Sequence, residues 1–377
     1  MRLLVIAGHY RAFVRGLGDA LAPLYDQVTV VIPTWRELRC AGLNVRVFRN
    51  VDGEFSSSQP NVSVRRISVP PVPFVAPHRI VAGLRRQNER PDVVLSHFIV
   101  PYGYLGNAVA RRFEATSAVL AHGFDAYDLP FRNPFFRHLT CRILTQADHV
   151  FTVSRKNQTC LEACGYDGRI HVIGNGYDPS LFNARARASC RQALGLPESN
   201  PLILSVGNLV PIKNHGILVE AMPAIRRSCP DAALCLLGAG PLEQALRQRV
   251  KALGLDECVK LPGAALPADV ALWMGASDVL ALPSLNEGSP CVVYESLACG
   301  RPVVAASVGG VPELVRTRLN GLLVPSPADA ATWGLALLEA LSLPWDARSI
   351  SAAVGGNTWE ATARRLQEAL SAHGALT

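Results

Sequence analysis

The amino-acid sequence predicts an α/β protein of two successive domains, each a parallel sheet with helices on both faces. Three observations carry this expectation. The chain has 377 residues, more than one hydrophobic core normally serves. Short apolar runs recur without the polar alternation of a sheet that faces water on one side. The alternation of such runs with helical segments begins at residue 2 and restarts near residue 200.

In the first half, "RLLVIAG" ends in glycine and reads as the opening strand rather than a leader: five apolar residues follow Arg2 before Gly8 and His9. Val14, Leu17, Leu21 and Leu24 then recur at helical spacing, and "VTVVIP" is the next buried strand. "DVVLSHF", "SAVLAHG" and "HVFTVS" repeat one form, an apolar strand ending in a small or polar residue. Between them, "NVSVRRISVPPVPFVAPHR" is proline-rich and reads as a loop with a strand at its start. "IHVIGNGYDPSLF" closes the half on an Asn-Gly turn signal. In the second half "LILSVG", "ALCLLGAG", "CVKLPG", "SDVLALPS" and "RPVVAAS" are strands; "HGILVEAMPAIRRS", "PLEQALRQRVKALG" and "SPCVVYESLACG" are the helices between them. The expected division is 1–180, 181–350 and a C-terminal helix over 351–377 that could pack back on the first domain.

Composition narrows the function. Hydrophobic content of 49% and charged content of 18% describe an ordered protein with large cores. No run of about 18 apolar residues is present to span a bilayer. The ten cysteines include no CxxC pair and read as small core residues of a reducing compartment, which points to the cytoplasm. The net charge of +7 is uneven: residues 1–180 hold 21 Lys/Arg against 14 Asp/Glu, and residues 181–377 hold 16 of each. Nucleic acid would suit the excess, but no nucleic-acid motif accompanies it and none is expected as a partner; an anionic small substrate or an anionic membrane surface explains a diffuse excess equally well. The segment "FRNPFFRHLTCRIL", with phenylalanines beside arginines, could rest on such a surface or pack its aromatics onto the sheet.

Parallel sheets bind ligands beyond the carboxyl ends of their strands, and with two of them the natural site is the cleft between. The chemistry-bearing residues fall at such ends. "PSLNEGSPCVVYESLACGRPVVAASVGGVPELV" keeps Glu287 and Glu295 inside an otherwise apolar run, and a buried carboxylate needs a partner. A hydroxyl-rich ligand would be one; Arg301 would be another. Gly288, Ser289 and Pro290 open a helix there, with Ser289 as candidate N-cap and free N–H groups suited to a phosphate. In "SVGNLVPIKNHG", Gly207 allows close approach to a strand end, and Lys213 supplies a point charge for a diphosphate. His122 and His97 end strands of the first half; Asp125 is suited to fixing the loop around His122.

Together these residues resemble the retaining glycosyltransferases of family 4, whose GT-B fold has two facing Rossmann-like domains with an interdomain cleft. "EGSPCVVYE" resembles the family's E-x7-E motif, and the likeness continues through Glu313. "LSVGNLVPIKNH" resembles the diphosphate loop, "VIGNGYDPSLF" the hinge, and "AHGFD" the segment with the sugar-site histidine. The resemblance implies that Glu295 binds the donor's ribose hydroxyls, Glu287 and His122 meet the sugar, and Lys213 neutralises the diphosphate. Leu261, Pro262 and Gly263 would frame the base. Asn208 stands where the family commonly has arginine. Arg15 and Gly16 are candidates for the acceptor loop.

The implied activity is that of a retaining hexosyltransferase using a nucleoside-diphosphate sugar and a glycan or lipid-linked acceptor. It implies front-side attack, with the diphosphate oxygen taking the acceptor's proton. Neither a cofactor nor a metal is expected, and no DxD sequence is present. Relatives of this kind build bacterial surface polysaccharides and glycolipids, so a peripheral place on the inner membrane face is the expected location. Two other readings use the same nucleotide site: a GT-B sugar-nucleotide 2-epimerase and a non-catalytic sugar-nucleotide-binding protein, the latter favoured by Asn208.

Overall fold

A computed structural model describes residues 1–9, 12–35, 38–40, 43–45, 57, 59–69 and 75–372. The chain forms two compact units, Met1–Gly176 with Trp359–Thr377, and Tyr177–Thr358.

The strands of the first unit are Arg2–Ile6 (β1), Gln27–Trp35 (β2), Leu38–Cys40 (β3), Leu43–Val45 (β4), Val62–Val69 (β5), Val93–His97 (β6), Thr116–Ala121 (β7), His149–Thr152 (β8) and His171–Val172 (β9). Seven of them form a sheet in the order β5-β2-β1-β6-β7-β8-β9, parallel throughout; β3 and β4 form a small antiparallel pair. The strands are apolar on both sides because both faces are covered. Ile80, Leu84, Leu105 and Val109 pack with Leu4 and Val94 in one layer, while Ile143, Leu144 and Leu161 pack with Val119 and Val150 in another.

The second unit has Leu202–Val206 (β10), Ala233–Leu237 (β11), Val259–Gly263 (β12), Val279–Leu282 (β13), Val303–Ala306 (β14) and Gly321–Val324 (β15). They pair in parallel in the order β12-β11-β10-β13-β14-β15. This is the doubly wound nucleotide-binding order, which reverses direction between β10 and β13. In the first unit the reversal falls between β1 and β6.

Several expectations need correction. The proline-rich stretch 61–79 is not mostly loop: β5 occupies eight residues, and a helix starts at Ala76 with Pro77 in its first turn. Proline is tolerated there because its missing N–H has no partner to lose, and Ile80, Val81 and Leu84 bury the helix's apolar face. The expected loop residues 70–74 lie outside the described residues. Residues 351–358 stay with the second unit, where Tyr177 N donates to Asn357 O at 3.1 Å. The chain crosses to the first unit at Trp359, whose helix Trp359–Ser371 packs on the helix Ala12–Leu21. A Cβ at Gly16 would lie 2.5 Å from the Trp359 indole, so Gly16 is a packing position inside a helix rather than part of an acceptor loop. Arg15 lies in the same helix and pairs with Asp19 at 3.3 Å.

Candidate functional site

The reversal of strand order in the second unit places two loops side by side. The first leaves β10 as Gly207-Asn208-Leu209-Val210 and tightens into a 3-10 turn at Pro211–Lys213. The second leaves β13 and reaches Glu287. Leu285 N donates to Ile212 O at 2.8 Å, and Lys213 Nζ donates to Glu287 Oε1 at 2.5 Å. The partner of one buried acid is therefore Lys213, 74 positions away in sequence. The pair remains partly open, with side-chain exposures of 24% and 11%.

Glycines let the surrounding loops close on these two. A Cβ at Gly309, with φ of +52°, would sit on the Glu287 carbonyl oxygen, and Gly310 N donates to that oxygen at 3.2 Å. Gly238, with φ of +155°, lies as closely over the Gly207 carbonyl. Asn208 is exposed, and its side chain makes no hydrogen bond among the described residues. Beneath Gly207 lies His215, a residue the sequence reading passed over. It is buried, and burial, then the Lys213 charge, lowers its pKa to about 4. Its Nδ1 meets Ser205 Oγ at 3.1 Å, and that hydroxyl donates to Ala281 O at 2.8 Å. A lone histidine ahead of a helix carried no signal by itself; the strand-end serine ten residues earlier was the one available clue.

The helix after Glu287 runs Cys291–Ala298 and is preceded by Pro290 in an extended conformation. Ser289 is therefore not its N-cap. Its hydroxyl lies 3.1 Å from the Tyr294 hydroxyl instead, because Pro290 carries the chain into the helix one residue later. Gly288 spans the gap between Glu287 and this turn. Glu295 keeps part of its surface open; burial of the rest pushes its carboxyl up to about 7. Its carboxylate makes no hydrogen bond or ion pair among the described residues. The expected alternative partner, Arg301, donates instead to the carbonyl oxygens of Gly275 at 2.6 Å and Arg185 at 3.3 Å. Cys291 lies near both acids: burial first, then the charges of Glu295 and Glu287, raise its thiol pKa.

Leu261, Pro262 and Gly263 form the end of β12. Leu261 is buried and its carbonyl accepts from Arg247 at 2.6 Å; Gly263 O accepts from Gly238 N at 2.9 Å. Leu261 and Pro262 also border an open groove of about 660 Å3 with Arg247, Lys251 and Trp273.

In the first unit, His97 ends β6 and His122 follows β7. Both are buried, and His97 Nδ1 lies 2.8 Å from His122 Nε2. Asp125 accepts from Ile99 N at 2.9 Å through one oxygen, and from His122 N at 3.1 Å and Gly123 N at 2.9 Å through the other. It joins the two loops that carry the imidazoles, as a loop-fixing residue should. Burial raises its pKa against the effect of these N–H groups.

Comparison with known proteins agrees with this architecture. Residues 12–181 match the model of Glycosyltransferase Family 4, and residues 200–342 match that of Glycosyl transferases group 1. A D-inositol 3-phosphate glycosyltransferase of Frankia alni is 30% identical over 89% of this chain and 91% of its own length. A protein of the same name from Segniliparus rotundus matches only in part, 34% identical over 52% of this chain and 45% of its own, so the chain spans about half of that relative. Among solved structures, sucrose-phosphate synthase from Thermosynechococcus elongatus superposes with a TM-score of 0.82 at 22% identity, covering 100% of both chains. Anabaena HepE in complex with UDP-glucose gives 0.76 at 20% identity, covering 99% of this chain and 100% of its own. With a GT-B-like fold of two parallel-sheet Rossmann-like domains and a relative matched along nearly its whole length, the chain belongs to glycosyltransferase family 4.

Proposed function

We propose that this protein is a retaining hexosyltransferase that moves a sugar from a nucleoside diphosphate to a hydroxyl of a glycan or lipid-linked acceptor. The observation that carries this reading is the joined pair of loops at β10 and β13, with Lys213 held beside Glu287 and Glu295 left without a partner. In this reading Lys213 and the free side chain of Asn208 take the diphosphate, Glu295 accepts hydrogen bonds from the ribose diol, and Glu287 meets the sugar once Lys213 turns to phosphate. Leu261, Pro262 and Gly263 border the base, Gly288 and Ser289 border the phosphates, and His122 contacts a sugar hydroxyl. The lysine would offset charge as it develops on the departing diphosphate, which then takes the acceptor's proton. Two proteins of known name lend support to an NDP-sugar donor: HepE was crystallised with UDP-glucose, and a 33% identical Mycolicibacterium smegmatis relative is named as GDP-mannose-dependent.

The test is a panel of sugar nucleotides with glycan and lipid-linked acceptors, read by released diphosphate and by NMR of the product anomer. Release that needs an acceptor, with the anomeric configuration kept, is expected. Conversion of the sugar nucleotide to its epimer without an acceptor would replace this reading with that of a 2-epimerase, and binding without turnover across the panel would make it a binding protein.

A surface feature favours membrane association as a second element of function. The helix Pro134–Thr145 buries Thr140, Ile143 and Leu144, while Phe135 is 67% and Phe131 50% exposed. Phe131 and Phe135 are not packed onto the sheet. Exposed Phe124 lies near them in sequence, with the Arg132 guanidinium 4.7 Å from its ring centre, and Arg142 is exposed on the same helix. No helix among the described residues is long and apolar enough to cross a membrane. We place the enzyme peripherally on an anionic membrane, at the cytoplasmic face, where acceptors for surface-polysaccharide assembly would be met. Co-sedimentation with vesicles should require anionic lipid, weaken with salt and fall on Phe135→Ser substitution; equal binding to neutral vesicles would exclude it.

A further inference from the structure

The two strand-end histidines of the first unit are in direct contact, and the geometry of that contact restricts their protons. His97 Nδ1 and His122 Nε2 are 2.8 Å apart, the ring planes differ by 6°, and the ring centres are 5.0 Å apart. That centre separation is what the nitrogen contact plus two centre-to-nitrogen radii requires, so the rings lie edge to edge in one plane. An N–H on one ring then points straight at the lone pair of the other. Burial and then the nearby His9 lower the His97 pKa to about 3; burial, then His97 and His9, lower that of His122. Both rings are neutral near pH 7, and each carries one N–H.

The tautomers are consequently tied together. If His97 Nδ1 donates, His122 Nε2 is bare and His122 carries its proton on Nδ1. If His122 Nε2 donates, His97 Nδ1 is bare and His97 carries its proton on Nε2. Both rings are Nδ1–H or both are Nε2–H; a mixed pair leaves two protons, or none, facing each other. The outer nitrogens, His97 Nε2 and His122 Nδ1, are buried and make no hydrogen bond among the described residues. An unsatisfied buried ring nitrogen is rare enough to call for a group that arrives later. Little freedom remains to avoid the pairing: Asp125 holds both loops through backbone N–H groups, and Phe13 and Phe98 lie 4.3 and 4.9 Å from the His122 ring centre.

We propose that His97 is a positioning residue that ties the tautomer of His122 to its own, so that His122 Nδ1 meets a substrate hydroxyl as donor when both rings are Nδ1–H and as acceptor when both are Nε2–H. The assignment rests on the reading of His122 as the sugar-contacting histidine.

Long-range 1H–15N correlation spectra of the full chain, labelled with 15N-histidine, test it. In the wild type, His97 and His122 should be neutral from pH 6 to 8 and show the same tautomer. Opposite tautomers overturn the proposal. His97→Phe keeps an aromatic ring but removes the inter-ring hydrogen bond; His122 should then show mixed tautomers, and turnover should fall about as far as in His122→Phe, with nucleoside diphosphate affinity unchanged. His97→Asn, whose amide can replace Nδ1, should restore one tautomer and much of the turnover. An unchanged His122 spectrum and unchanged turnover in His97→Phe also overturn it, and the wild-type spectrum decides alone if that variant does not fold. Addition of the sugar nucleotide separates the two ideas. Tied tautomers with His122 signals that do not move would retain the pairing and remove His122 from the sugar site.

Discussion

The two ends of the second sheet hold acids of opposite character. At the amino end, Asp278 precedes β13 and is fully engaged: it accepts from Leu202 N at 2.7 Å, Arg191 at 2.7 Å and Arg187 at 2.6 Å. Arg191 is almost wholly buried and also donates to the carbonyls of Pro197, Glu198, Asn200 and Ala276. The first unit repeats the device, with Asp92 accepting from Arg2 N at 2.6 Å and Asp148 from Ser117 N at 2.8 Å. At the carboxyl end, Glu287 has one lysine and Glu295 has no side-chain partner among the described residues. Where partners are saturated, charge staples strands; where they are incomplete, charge is available for the proposed donor.

The largest effect should come from breaking the saturated end. Asp278→Ala strands the Arg191 guanidinium, and loss of one partner of a buried pair costs about 3–5 kcal/mol. The denaturation midpoint should fall accordingly, with nucleotide affinity of the folded protein intact. A loss below about 1 kcal/mol would dissolve the contrast between the two ends.

The open end should behave in the reverse way. Lys213→Ala should weaken nucleoside diphosphate binding by the roughly 1.5–3 kcal/mol of a charged hydrogen bond, about 10- to 100-fold, and leave nucleoside binding unaltered in calorimetry. Equal losses for both ligands would detach Lys213 from the diphosphate.

A smaller and pH-dependent effect is expected at Glu295. Its folded pKa of about 7 lies above the ordinary 4.5, so between these values the folded chain holds a proton that the unfolded chain has lost. Stability therefore falls as pH rises from about 4.5 through 7 and levels off above. A ribose diol donates to the carboxylate form, so nucleoside affinity should rise over the same window. Glu295→Gln should flatten both profiles and lower nucleoside affinity about tenfold at pH 8. Parallel profiles in the two proteins would show that another group titrates.

Much of this was legible in the chain. The apolar runs of β1, β2, β6, β7, β8, β10, β11, β12, β13 and β14 announce themselves by local pattern, as does the spacing of Glu287 and Glu295. The four-residue β15 was missed because "GLLV" is too short to show a period, and the helix Pro267–Ala276 because its apolar residues do not fall on one face. The Ser289 cap failed on a one-residue shift at Pro290.

Local sequence thus determined the α/β class, the parallel character of the sheets, and which residue types stand at strand ends. Tertiary structure decided which of them meet. Lys213 reaches Glu287 because β13 pairs with β10 while β11 and β12 lie on the other side, an order no local pattern encodes. His97 meets His122 because β6 and β7 are neighbours with carboxyl ends in register. Periodicity is set by one segment's burial, but pairing is set by the packing of whole segments against each other, and its partners are remote in sequence.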